Sequence, residues 1–158
     1  MLTKRFLGAL LITAVVATSA LAGDCRSVKG IESVVNNGNG TTSGAITEGG
    51  KLNGTTQTVF TSGFTPTPDL STFSFTDELT LTTNNGVLRT HNVTLFDVVN
   101  GVFTALARID PNTSTGNFAG ATGVLYIGGR TTDGGASFQG EITGSMCFAI
   151  EHASKDIE

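Results

Sequence analysis

Along most of this chain, apolar and polar residues alternate with a period of two, the spacing of strands that bury one face. Runs rich in Val, Thr, Phe and Ile recur between Gly, Asn and Pro turn signals. They predict eight strands near residues 28–35, 40–48, 52–62, 73–82, 87–99, 102–109, 123–128 and 137–150. Past the amino terminus no segment carries a helical period. Short connections between consecutive strands favour a single antiparallel eight-stranded up-and-down β-barrel over an open sandwich. An outer-membrane barrel would need an apolar outward face with aromatic girdles, which the Thr-rich alternation does not supply.

Two turn signals set the register of the central strands. Asn85-Gly86 and Asn100-Gly101 are dipeptides suited to type I′ hairpins. Two-residue loops there place Asp77 opposite Thr94, Phe75 opposite Phe96, and Phe96 opposite Ala105. Moving the first turn back by one residue slips these pairs by two and preserves the faces. One face then collects Phe73, Phe75, Leu79, Leu81, Leu88, Phe96, Val98, Phe103, Ala105, Ala107 and Ile109, the predicted interior. Asp77, Asn92 and Thr94 fall on the same face.

A carboxylate in such surroundings must be hydrogen-bonded, shift its pKa upward or lie near water, because an unpaired buried charge is too costly. Asp77, Asn92 and Thr94 are therefore the candidate polar site, with Phe75, Phe96 and Phe103 as apolar walls. The same arrangement is also that of a structural carboxylate satisfied by its neighbours or solvated at a barrel mouth. The opposite face carries Val93, Leu95 and Leu106 beside charged residues, more apolar than a fully wetted surface. His91 is expected beside Asp110 across the ladder, and Arg108 beside Val93.

The amino terminus has the form of an export signal. Lys4 and Arg5 precede an apolar run over residues 6–17, and Ala20-Leu21-Ala22 ends in the small residues a signal peptidase requires. Cleavage of this signal helix after Ala22 is expected, leaving a barrel domain over residues 23–150 and a polar tail over 151–158. The apolar run is shorter than the ~20 residues of a membrane span. Cys25 raises lipidation as an alternative, but Asp24 stands where a lipoprotein signal wants a small residue.

Cleavage removes Lys4 and Arg5 and no acidic residue, taking the formal charge from −4 to −6. An acidic chain without a Lys/Arg cluster is a poor fit for nucleic acid. Cys25 and Cys147 are the only cysteines. In an exported protein they are expected to form a disulfide, which requires the first and last strands to be neighbours, as closure would make them. Two free buried thiols are the alternative. Nucleophile elbows, phosphate loops and C-x-x-C motifs are missing, and His91 and His152 lack metal-ligand spacing, so neither metal nor cofactor is expected. Sequons stand at Asn39, Asn53, Asn92 and Asn112, though Asn92 is expected to point inward.

The stretch TGNFAGATGVLYI, Thr115 to Ile127, resembles the TG-x-F-x-GA-x-G strand entry of the allene oxide cyclase barrel and, more loosely, of dirigent proteins. It is most similar to small secreted bacterial proteins of that barrel class. The motif resemblance spans about residues 101–147; elsewhere only the strand rhythm agrees. It implies an eight-stranded barrel and trimers packed through barrel exteriors, which would cover Val93, Leu95 and Leu106; local covering of that face by a terminal segment is an equal alternative. The plant cyclase's catalytic carboxylate has no residue-by-residue match here, so no catalytic role carries over. Three functions stay open: a barrel binding a small apolar ligand, a cofactor-independent isomerase or cyclase using Asp77 as acid or base, and an envelope-associated structural protein with a packed interior.

Overall fold

The computed structural model describes residues 24–131 and 133–148. The signal segment, the tail, His152 and the end of the last expected strand lie outside them. The described chain forms strands β1 (Asp24–Asn36), β2 (Thr41–Thr47), β3 (Gly54–Phe60), β4 (Thr65–Pro66), β5 (Thr72–Thr83), β6 (Gly86–Asp97), β7 (Val102–Ile109), β8 (Thr122–Arg130) and β9 (Ser137–Phe148). Every long strand pairs antiparallel with its neighbours in sequence, β1 pairs with β9, and the β3–β5 pairing completes the ring. The result is a closed eight-stranded up-and-down barrel. The two-residue β4 is an addition to β5.

Closure brings the chain ends together. Cys25 and Cys147 are direct cross-strand partners, with Cα atoms 3.8 Å apart, and they form a disulfide. That bond cross-links the β1–β9 seam at one end of the barrel. The same end is packed solid by Leu81, Leu88, Ala121 and Met146, with Leu52 and Phe118 supplied by two 3-10 turns, Gly50–Leu52 and Gly116–Phe118. Phe118 belongs to the TGNFAGATG stretch. Its glycine-rich path turns a phenylalanine into the barrel mouth as a plug before β8 begins.

The expected faces hold, but both hairpins sit two residues from the expected register. Asp77 pairs with Asn92, Phe75 with Thr94, Phe96 with Phe103 and Thr94 with Ala105. In the first hairpin the loop is Asn84-Asn85, and neither residue takes positive φ. Thr83 Oγ1 accepts a hydrogen bond from Asn85 N at 3.0 Å and donates to Gly86 O at 3.1 Å. Gly86 opens β6 and is needed for a different reason. A Cβ there would stand 2.2 Å from Thr115 O, and one on Gly116 would stand 2.4 Å from Asn85 O. The glycine motif thus packs directly on the hairpin.

The second hairpin has a four-residue loop over 98–101. Asp97 accepts hydrogen bonds from Val99 N, Asn100 N and Asn100 Nδ2. These side-chain bonds substitute for a tight type I′ turn. Val98, expected inside, is consequently an exposed loop residue. Phe73 is half-buried and stays off the cavity wall. On the outer face the same slip sets Arg108 opposite His91 and Leu106 opposite Val93. The His91 ring still lies 3.5 Å from Asp110 and 3.3 Å from Glu78.

Candidate functional site

The end of the barrel opposite the disulfide is open. A cavity of about 240 Å³ enters there and reaches the barrel waist. Two phenylalanine trios flank it. Phe60, Phe64 and Phe75 have ring centroids 4.7 to 5.7 Å apart. Phe138 lies 5.7 Å from Phe96 and 5.6 Å from Phe103. Both trios use the edge-on or tilted geometries that aromatic quadrupoles favour. The expected walls Phe75, Phe96 and Phe103 all line the cavity. Phe60, Phe64 and Phe138 complete it and were not singled out from sequence, because each ends a strand or sits in a connection where alternation breaks off.

At the waist the interior turns polar. Asp77, Asn92 and Thr94 come together as expected, each buried. Asn92 Nδ2 donates to Asp77 Oδ1 at 2.6 Å, and Thr94 Oγ1 donates to Asp77 Oδ2 at 2.7 Å. Thr90 Oγ1 donates to Asn92 Oδ1 at 2.7 Å. The network is closed on itself: each carboxylate oxygen has a donor. Burial raises the Asp77 pKa, while the bonds from Thr94 and Asn92 pull it back.

A second carboxyl faces the same cavity. Glu32 on β1 is 6 % exposed, and its Oε1 has no hydrogen-bond partner. Burial pushes its pKa up to about 7, and the Asp77 charge adds to the effect. The Thr56 hydroxyl favours the charged form weakly, yet Thr56 Oγ1 makes no hydrogen bond of ordinary geometry. The Asp77 charge disfavours ionisation of Glu32, so the two carboxyls titrate as an interacting pair.

Sequence reading missed Glu32 because alternation in β1 is ambiguous. Val28, Gly30, Glu32 and Val34 share one parity of β1 and all point inward. Ile31 and Val35 offer an equally apolar opposite parity, so alternation within β1 alone does not choose the face. Pairing with β2 and β9 chooses it.

No group of three or more His, Cys, Asp or Glu among the described residues is arranged to hold a metal ion. No helix among them is long and apolar enough to cross a membrane. Comparison with protein-family models, with curated proteins and with solved structures finds no match in any of the three.

Proposed function

We propose that this chain is an exported barrel that binds a small, largely apolar molecule in its open end. The observation that carries this reading is the half-and-half interior. One end is filled by Leu52, Leu88, Phe118 and Met146, while the other keeps a cavity of about 240 Å³ walled by phenylalanines. A barrel selected only for rigidity gains nothing from that void, since unfilled apolar space forfeits dispersion contacts. An apolar cavity with a few convergent polar groups is the usual form of a small-molecule site.

Export is supported by the signal-like amino terminus and by the Cys25–Cys147 disulfide. Membership of the allene oxide cyclase-like barrel class is supported by the Thr115–Ile127 motif together with the up-and-down topology. Self-association, as trimers in that class, is supported by exposed Val93, Leu95, Leu106 and Tyr126 on the outer face of β6, β7 and β8.

A cofactor-independent isomerase or cyclase is the second reading, favoured by a specific group. Glu32 has a pKa near neutrality and a free oxygen in the cavity, the properties of an acid–base catalyst. Asp77 suits that role less well because both of its oxygens are occupied.

Native mass spectrometry of the exported protein tests the binding reading. A retained small molecule is expected, and Ala105→Phe, which grows into the cavity, should abolish its retention while the barrel stays folded. Apo protein that takes up nothing from a panel of apolar compounds would overturn it. Conversion of a captured molecule would select the isomerase.

A further inference from the structure

Resting on the binding reading, a second question is what polar group the ligand carries. Hydrogen-bonding demand at the waist is asymmetric. Asp77 is satisfied at both oxygens by Asn92 and Thr94, so that trio has little left to offer. Glu32 Oε1 is the unmatched acceptor, on a side chain buried against the cavity.

The charge balance points the same way. Among the described residues, Glu32 and Asp77 are the only titratable ones on the cavity wall. From the other strands the cavity is faced by Thr42, Thr58, Asn92, Ala105, Ile127 and Phe138, none of them cationic. A carboxylate ligand would add a third negative group with no cation to meet it. A cationic donor would meet the free oxygen and offset both carboxylates.

We propose that the ligand is an amphiphilic amine whose ammonium group donates to Glu32 Oε1 while its apolar body lies between the two phenylalanine trios. Binding of this kind follows the ionisation of Glu32. Below pH 7 the carboxyl holds a proton of its own and the ammonium loses its partner; above pH 7 the ion pair forms. The barrel would therefore capture at neutral to alkaline pH and release in acid. Asp77, the other titratable group on the cavity wall among the described residues, adds its charge to the preference for a cation.

Three probes of similar size separate the possibilities: phenethylamine, phenethyl alcohol and hydrocinnamate, titrated by calorimetry into the full exported chain. At pH 8 the amine should bind at least about tenfold more tightly than the other two. Its affinity should fall about tenfold between pH 8 and pH 6, and that of the alcohol should not. Glu32→Gln should remove the amine preference and its pH dependence while keeping alcohol binding. The wild-type pH profile provides a test independent of that variant. Equal binding of amine and alcohol, or tighter alcohol binding in acid, would overturn the amine assignment and leave the binding barrel standing. Failure of all three probes to bind would overturn both.

Discussion

Two carboxyls on one wall differ because of their immediate partners. Asp77 has two donors and Glu32 has an unmatched oxygen, so burial falls mainly on Glu32, at a pKa of about 7 against an ordinary 4.5. A carboxyl whose folded pKa is raised contributes its full stability below its unfolded pKa. That contribution is lost as pH climbs from about 4.5 to about 7. Stability should therefore decline across that window by an amount on the order of 3 kcal/mol and level off above it. Glu32→Gln should flatten the decline and leave the variant about 2 kcal/mol more stable than wild type at pH 8, read by urea denaturation as a function of pH. Asp69, Asp97, Asp110 and Asp133 carry lowered pKa values from loop hydrogen bonds, so they work in the opposite sense and only in acid.

At Asp77 the outcome depends on which acceptor survives. Asp77→Asn keeps an acceptor for Asn92, and the Thr94 hydroxyl can reverse to accept from the new amide. Its melting temperature should stay close to wild type, while the Glu32 titration followed by NMR moves down toward the ordinary range. Asp77→Ala strands the buried Asn92 amide and should cost about 1 to 3 kcal/mol. An unchanged Glu32 pKa in Asp77→Asn would mean that the two carboxyls do not interact.

At the scale of elements, each hairpin is held by side chains that the turn dipeptides do not reveal. The first carries its loop at Asn84-Asn85 because Thr83 bonds both sides of the turn and because the Thr115–Gly116 backbone lies against Gly86. Gly86→Ala places a methyl group against Thr115 O and should cost at least about 2 kcal/mol by chemical denaturation, with m unchanged. Asn85→Ala touches none of these constraints and should cost less than about 1 kcal/mol. The face assignment of β5, β6 and β7 was legible from alternation despite the slip, since a shift of two residues returns each side chain to its own side. Val98 was misplaced because it followed the parity of β6 into a loop where parity has no meaning.

The whole molecule is closed by two seams of different kinds. The β1–β9 seam is cross-linked by Cys25–Cys147 across 122 residues, and the β3–β5 seam relies on the ladder alone. Intact mass under non-reducing conditions should be lower by two hydrogens, with no thiol open to labelling. Reduction should remove up to about 4 kcal/mol, mainly by freeing the unfolded chain. On the outside, Leu106→Glu introduces charge into the exposed Val93, Leu95 and Tyr126 patch. If the proposed self-association holds, it should give a monomer in sedimentation without lowering the melting temperature; a wild-type monomer at high concentration would remove the proposed interface.

Strand number, the up-and-down order and the inward facing of Asp77, Asn92 and Thr94 were readable in the sequence because alternation and turn residues act over a few positions, and the Cys25–Cys147 pairing was readable because an exported chain holds no other cysteine. Register, the plugging of one end by Phe118 and the choice of which face of β1 turns inward were not. Those depend on contacts between segments far apart in the chain, and it is such contacts, β1 against β2 and β9, that bring Glu32 into the cavity beside Asp77.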